Sequence, residues 1–101
     1  MIYNIVHSDD AKNDLAGLAD VITYKFKAPL TSFRYVRELR KEIHSLKRSP
    51  ESHPVQTRRS LLQYGSNVRR INYKKMAIIY TVHDDLVIIR RVIPASLITN
   101  S

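Results

Sequence analysis

Between residues 67 and 93 the sequence passes through three stretches of strand-forming residues, 67–73, 75–82 and 86–93, with only short polar breaks between them. Breaks that short hold consecutive strands side by side as hairpins, so this third of the chain is committed to an antiparallel meander. Lys74 and Lys75 sit at the first turn and His83-Asp84-Asp85 at the second. A meander of three strands needs a layer against at least one face, and the preceding residues must supply it.

They do so with helical periodicity. After a short β-forming run over residues 1–6, Ser8-Asp9-Asp10 offers capping oxygens and negative charge where a helix leaves its first N–H groups unpaired. Leu15, Leu18, Ala19, Ile22 and Phe26 follow at helical spacing, which predicts a first helix over about 9–25. Gly17 inside it costs about 1 kcal/mol relative to alanine. Pro29 ends that helix and suits the first turn of the next, where no N–H is needed. Phe33, Val36, Leu39, Ile43 and Leu46 then form one apolar stripe, opposite Arg34, Arg37, Lys41 and Lys47 with Glu38 and Glu42 interleaved. Residues 49–54, with two prolines, close the second helix and begin a loop. Within 55–66, Leu61, Leu62 and Tyr64 indicate a short packed segment. The expectation is an α+β fold of order β-α-α-β-β-β, a helical hairpin on one face of an antiparallel sheet, as one domain over residues 1–101.

Charge narrows the partners. Seventeen Lys and Arg against nine Asp and Glu give +8 at neutral pH, so acidic partners are favoured electrostatically. The absence of cysteine removes disulfides, thiolate metal sites and cysteine nucleophiles. No run resembles a signal peptide or membrane span, and the expectation is a cytoplasmic chain without membrane contact.

The second half of the chain, residues 51–101, holds eight of the basic residues against three acids. Because strand side chains alternate, Val68, Arg70 and Asn72 face one way and Arg69, Ile71 and Tyr73 the other, and the Arg90-Arg91 doublet divides likewise. A guanidinium on the helix side must reach the sheet edge, pair with a carboxylate or lie beyond the helices. Those on the free side are expected to join Lys74, Lys75, Arg58 and Arg59 in a cationic surface. His7, His44, His53 and His83 fall on four separate segments without metal-ligand spacing, and each is read as structural or superficial. Asp9-Asp10 and Asp84-Asp85 are capping and turn residues, and Tyr80 fills the sheet, whereas Tyr73 beside Lys74-Lys75 is balanced between packing and base stacking. The expectation is therefore no metal, no cofactor and no catalytic residue.

Several segments, in their order and spacing, resemble the RelE/ParE superfamily of bacterial toxins across nearly the whole chain. They are Asp10-Ala11-Lys12-Asn13-Asp14-Leu15, the Ile43, Leu46, Pro50 ending of helix two, Val68-Arg69-Arg70-Ile71, Ala77-Ile78-Ile79-Tyr80-Thr81-Val82 and Val87-Ile88-Ile89-Arg90-Arg91-Val92-Ile93. The resemblance implies the toxin of a type II toxin–antitoxin pair, with plasmid stabilisation among the roles of such pairs, neutralised by an antitoxin whose segment wraps it; the net charge of +8 calls for an acidic or amphipathic segment there. RelE-like members cut messenger RNA on the ribosome, whereas ParE-like members poison DNA gyrase without nuclease chemistry. The nucleases carry an arginine where this chain has Ala77, and an arginine with a tyrosine or histidine where it reads Pro94-Ala95-Ser96-Leu97-Ile98. The ParE-like alternative is favoured, with Arg58, Arg59, Arg69, Arg70, Tyr73, Lys74, Lys75, Arg90 and Arg91 expected to meet gyrase or antitoxin. The alternatives are a RelE-like ribonuclease acting on ribosome-bound mRNA through Arg69, Tyr73, Lys74 or Lys75, and a non-toxic basic nucleic-acid-binding module.

Overall fold

A computed structural model describes residues 2–98. The elements run β1 (Asn4–His7), α1 (Asp9–Asp20), α2 (Pro29–Ser45), α3 (Arg59–Leu62), β2 (Arg69–Tyr73), β3 (Met76–His83) and β4 (Leu86–Pro94). The strands form one sheet in the order β1-β4-β3-β2. The fold class and main element order are those expected, but the sheet is mixed rather than wholly antiparallel. β2, β3 and β4 form the meander, while β1 runs parallel to β4, Asn4 opposite Leu86 and His7 opposite Ile89. No hairpin joins β1 to its neighbour, so its direction follows from the packing of the helices between β1 and β2.

The expected first strand shifts as well. Tyr3 N–H donates to the Lys47 carbonyl instead of joining the ladder, Ile2 is exposed, and pairing begins at Asn4. Met1 lies outside the described residues. Ser8 caps α1 by accepting from Ala11 N–H at 3.0 Å, and its own hydroxyl donates to the Arg90 carbonyl at 2.8 Å, tying the helix start to β4. The helix continues to Lys25 as expected, but Val21–Lys25 is a π turn. Lys27 then adopts φ +51° and Ala28 N–H returns to the Ile22 carbonyl, the left-handed ending usually made by glycine. Ser32 Oγ donates to the Ala19 carbonyl at 2.9 Å, pinning α2 to the end of α1.

Ala11 and Leu15 of α1, with Leu39, Ile43 and Leu46, bury against Ile71, Met76, Ile78, Tyr80, Val87, Ile89 and Val92. Not every residue of the helical stripes joins them: Ala19, Ile22 and Val36 are only half-buried outside this cluster, and Phe26 and Phe33 remain exposed near the far end of the hairpin, alongside Tyr24 and Leu30. Here helix packs on helix without sheet contact, so the apolar spacing continues past the core. α2 ends at Ser45, four residues before the predicted proline-rich stop, and a short turn of 3-10 helix occupies Pro50–Ser52. The first turn is Lys74-Lys75, as expected, and the second is one residue tighter than expected, Asp84-Asp85, because His83 belongs to β3; the first residue of each turn has positive φ.

The other sheet face is not free. Leu61 of α3, Val68, Ala77, Ile79 and Ile98 form a second buried cluster, with Tyr64, Ile93 and Ala95 packed on it. The segment 55–66, expected only to pack somewhere, lies over this face together with the turn at Ala95–Leu97. An open cationic face across the meander is therefore excluded.

Candidate functional site

Arg69 opens β2 on the helix-side face, opposite Tyr80. It resolves the problem of a core-side guanidinium at the sheet edge, where Nη1 donates to the carbonyls of His53 and, at 3.2 Å, Glu51. These contacts fix the 3-10 turn and the loop after it. Tyr80 secures the same loop from below by donating its buried hydroxyl to the Pro50 carbonyl. Burial pushes the Tyr80 phenol up to about 12, with Arg69 opposing more weakly. Tyr3 donates to Glu51 Oε1 at 2.8 Å, and that bond raises the Tyr3 phenol above its usual range. Glu51, Asn67, Arg69, Val82 and Asp84 line a polar cleft of about 330 Å³ at this end of the sheet.

The remaining cations are dispersed among several environments. Arg70 lies on the opposite face of β2, where Nε donates to Asn72 Oδ1 at 2.9 Å; burial and then the neighbouring Arg58 charge lower its pKa. Arg58 and Arg59 are exposed at the start of α3. Tyr73 stacks edge-on against Tyr35 with centroids 5.5 Å apart, and the Lys74 ammonium lies 5.5 Å from both rings. Tyr73 is thus half-buried against Tyr35 while still lining a cleft with Arg34 and Lys74. Lys75 is exposed at the turn, its carbonyl accepting from Ala95 N–H at 2.8 Å.

Arg90 and Arg91 do not divide by simple alternation. The ladder places Ile89 opposite Tyr80 and Arg91 opposite Ile79, so Arg90 is the extra residue of a β-bulge. Arg90 Nε donates to the buried Thr81 hydroxyl at 3.0 Å and its Nη2 lies 3.4 Å from His83 Nε2. Arg91 makes a two-pronged contact with Asp14, at 2.7 and 3.0 Å, and this pairing raises the Arg91 pKa. Asp14 also accepts from Val92 N–H at 2.9 Å, satisfying a strand-edge donor beyond the end of β1. The structure therefore brings Arg58 near Arg70 and Lys74 onto Tyr73, but gathers no single patch from the nine expected residues.

A family profile described as the ParE toxin of the type II toxin–antitoxin system parDE matches residues 5–97. The chain belongs to the ParE toxin family. Its fold is similar to that of a chain from the chromosomal ParDE TA system of P. aeruginosa, with a TM-score of 0.75 at 13% identity, covering 92% of this chain and 96% of that one. No curated protein matches the chain. Within this ParE-family fold, sequence reasoning had missed Asp14, Glu51 and Tyr3. Asp14 carried a usable signal, an acid three residues after Ala11 and adjacent to Leu15, at the border of the buried stripe of α1. Glu51 and Tyr3 carried none, because a loop and the residue before a strand bring them together over 48 positions.

Proposed function

We propose that this ParE-family toxin arrests growth by poisoning DNA gyrase and is neutralised by an antitoxin segment of acidic or amphipathic character. The ParE family match across residues 5–97 is the observation that carries the reading. The surroundings of Arg69 support a binding role over phosphodiester cleavage. A ribonuclease needs one group to deprotonate a 2′-hydroxyl and another to protonate the leaving oxygen, both able to exchange protons near neutral pH. The tyrosine opposite Arg69 is Tyr80, which is buried, bonded to Pro50 and raised to about 12. Ala77, at the position where RelE-like nucleases carry an arginine, is fully buried in the second cluster, a site unsuited to a cation meant for RNA. Arg58, Arg59, Arg70, Lys74 and Lys75 supply positive charge for the encounter with gyrase or antitoxin.

The test is gyrase supercoiling with the purified full chain at micromolar concentration. Loss of supercoiling with accumulation of cleaved DNA complexes, both reversed by the cognate antitoxin, is the expected result. Unimpaired supercoiling combined with codon-phased mRNA cuts in arrested cells would instead assign the toxin to the ribosome. Normal growth on expression without antitoxin would point to a non-toxic binding module.

A further inference from the structure

At the sheet edge opposite β2, β1 and α2 enclose a cleft of about 330 Å³ lined by Ile5, His7, Arg40, Ile43, His44 and Lys47. We propose that this cleft is an oxyanion site that takes a phosphate group, with Arg40, His44 and Lys47 reaching in from α2 and its following turn, and His7 from β1.

The basic residues are spaced by four and then three positions, so they lie along one side of the helix and the turn after it. Their neighbours Arg37 and Lys41 pair with Glu38, at 3.7 and 3.4 Å, whereas Arg40, His44 and Lys47 have no ion pair among the described residues. A cation near a helix C-terminus favourably meets its carbonyls, which accounts for Lys47. It does not account for Arg40, more than a turn earlier, nor for His7.

His7 supplies the independent observation. Its Nε2 is the one buried side-chain nitrogen or oxygen among the described residues without a hydrogen-bond partner. An unpaired buried polar atom is unfavourable unless something completes it. The charges acting on this ring are cationic, Arg40 on α2 and Lys12 on α1, and Lys47 lines the cleft with them. Burial first, then Arg40 and Lys12, depress its pKa. An anion entering the cleft would reverse that field and accept a hydrogen bond from the imidazolium. A phosphate fits this donor set better than a carboxylate, because it offers more oxygens and up to two negative charges to four converging groups.

The experiment follows the imidazole resonances of the intact, histidine-labelled chain at neutral pH and constant ionic strength, with chloride replaced by inorganic phosphate. The expected result is a saturable shift of His7 and a rise in its pKa. Arg40→Gln and Lys47→Gln should each weaken binding about tenfold, while Arg90→Gln, outside the cleft, leaves it unchanged. A short oligonucleotide binding His7 at least tenfold more tightly than inorganic phosphate identifies the source as a nucleic-acid backbone; equal affinity identifies a small phosphate, and both support the site. Three results overturn it: a His7 response no larger in phosphate than in chloride, an affinity unchanged by Arg40→Gln in a folded variant, or tighter saturation by a glutamate-rich peptide, which would make the cleft a protein-docking surface. The titration of the unaltered chain decides the matter even where a variant fails to fold.

Discussion

Asp14 and Arg91, 77 positions apart, join the middle of the first helix to the last strand through two charge-assisted hydrogen bonds, and the same carboxylate accepts a third from the Val92 backbone. The pair is mostly shielded from solvent, with side-chain exposures of 14% for Asp14 and 31% for Arg91, so it is less screened than a surface bridge. Asp14→Ala leaves both a guanidinium and a strand-edge N–H without their partner, and should cost on the order of 2 kcal/mol in urea unfolding. Asp14→Asn retains an acceptor but not the charge, and should cost about half as much. Equal losses for the two variants would mean that the neutral acceptor contributes nothing and the charge carries the whole effect, whereas no loss in Asp14→Asn would mean that the charge contributes nothing.

Gly17→Ala should stabilise the protein by about 1 kcal/mol. A Cβ built at Gly17 meets nothing within 4 Å, so the helical preference of alanine is gained without a clash. Thermal unfolding of the variant checks this, and a fall in Tm would contradict it.

Tyr80 should make stability fall in alkali. Its phenol is raised from 10.0 to about 12, so above pH 10 the unfolded chain loses this proton before the folded one does. The contribution is complete below pH 10 and lost as pH rises towards 12. Tyr80→Phe should remove that slope and, by leaving the Pro50 carbonyl unpaired, cost about 1–2 kcal/mol at neutral pH. Chemical denaturation of both proteins at pH 8 and pH 11 measures each effect.

His7 should act in the opposite range. Its folded pKa is depressed below the ordinary 6.5, first by burial and then by Arg40 and Lys12. The unfolded chain therefore takes up the proton first as pH falls. The stability associated with neutral His7 is complete above pH 6.5 and declines below it. In phosphate-free buffer, His7→Gln should flatten the dependence of unfolding free energy on pH between 7 and 5; an unchanged slope would remove His7 as its source.

The legible parts of this fold were those set by local chemistry. The Ser8 cap, the Pro29 boundary and the hairpin breaks each act within a few residues, and all three fall where the sequence indicates. The misread parts depend on distant packing. Alternation holds along β2 but fails at Arg90, because a bulge is a property of two strands rather than of one pattern. The face assigned to solvent is covered by Leu61 and Ile98, apolar residues in weakly patterned segments whose destination only the folded chain reveals. For the candidate site, Arg69 was legible as a cation at the edge of the meander. Its anchoring to the 50–53 loop was not, since backbone carbonyls carry no residue signature. That His7 and His44 line one cleft was hidden as well, since they lie on separate elements that only the folded chain brings together.

The parallel pairing of β1 with β4 also sets a schedule for biosynthesis. Asn4 cannot find Leu86 until 82 further residues have been added, roughly 4–16 s at ribosomal speeds of about 5–20 residues per second. Throughout that interval the nascent chain has an unpaired leading strand and an incomplete central layer. Polypeptides halted before residue 86 would lack the partner of β1 altogether, and with it the Val87, Ile89 and Val92 side chains on which both helices close.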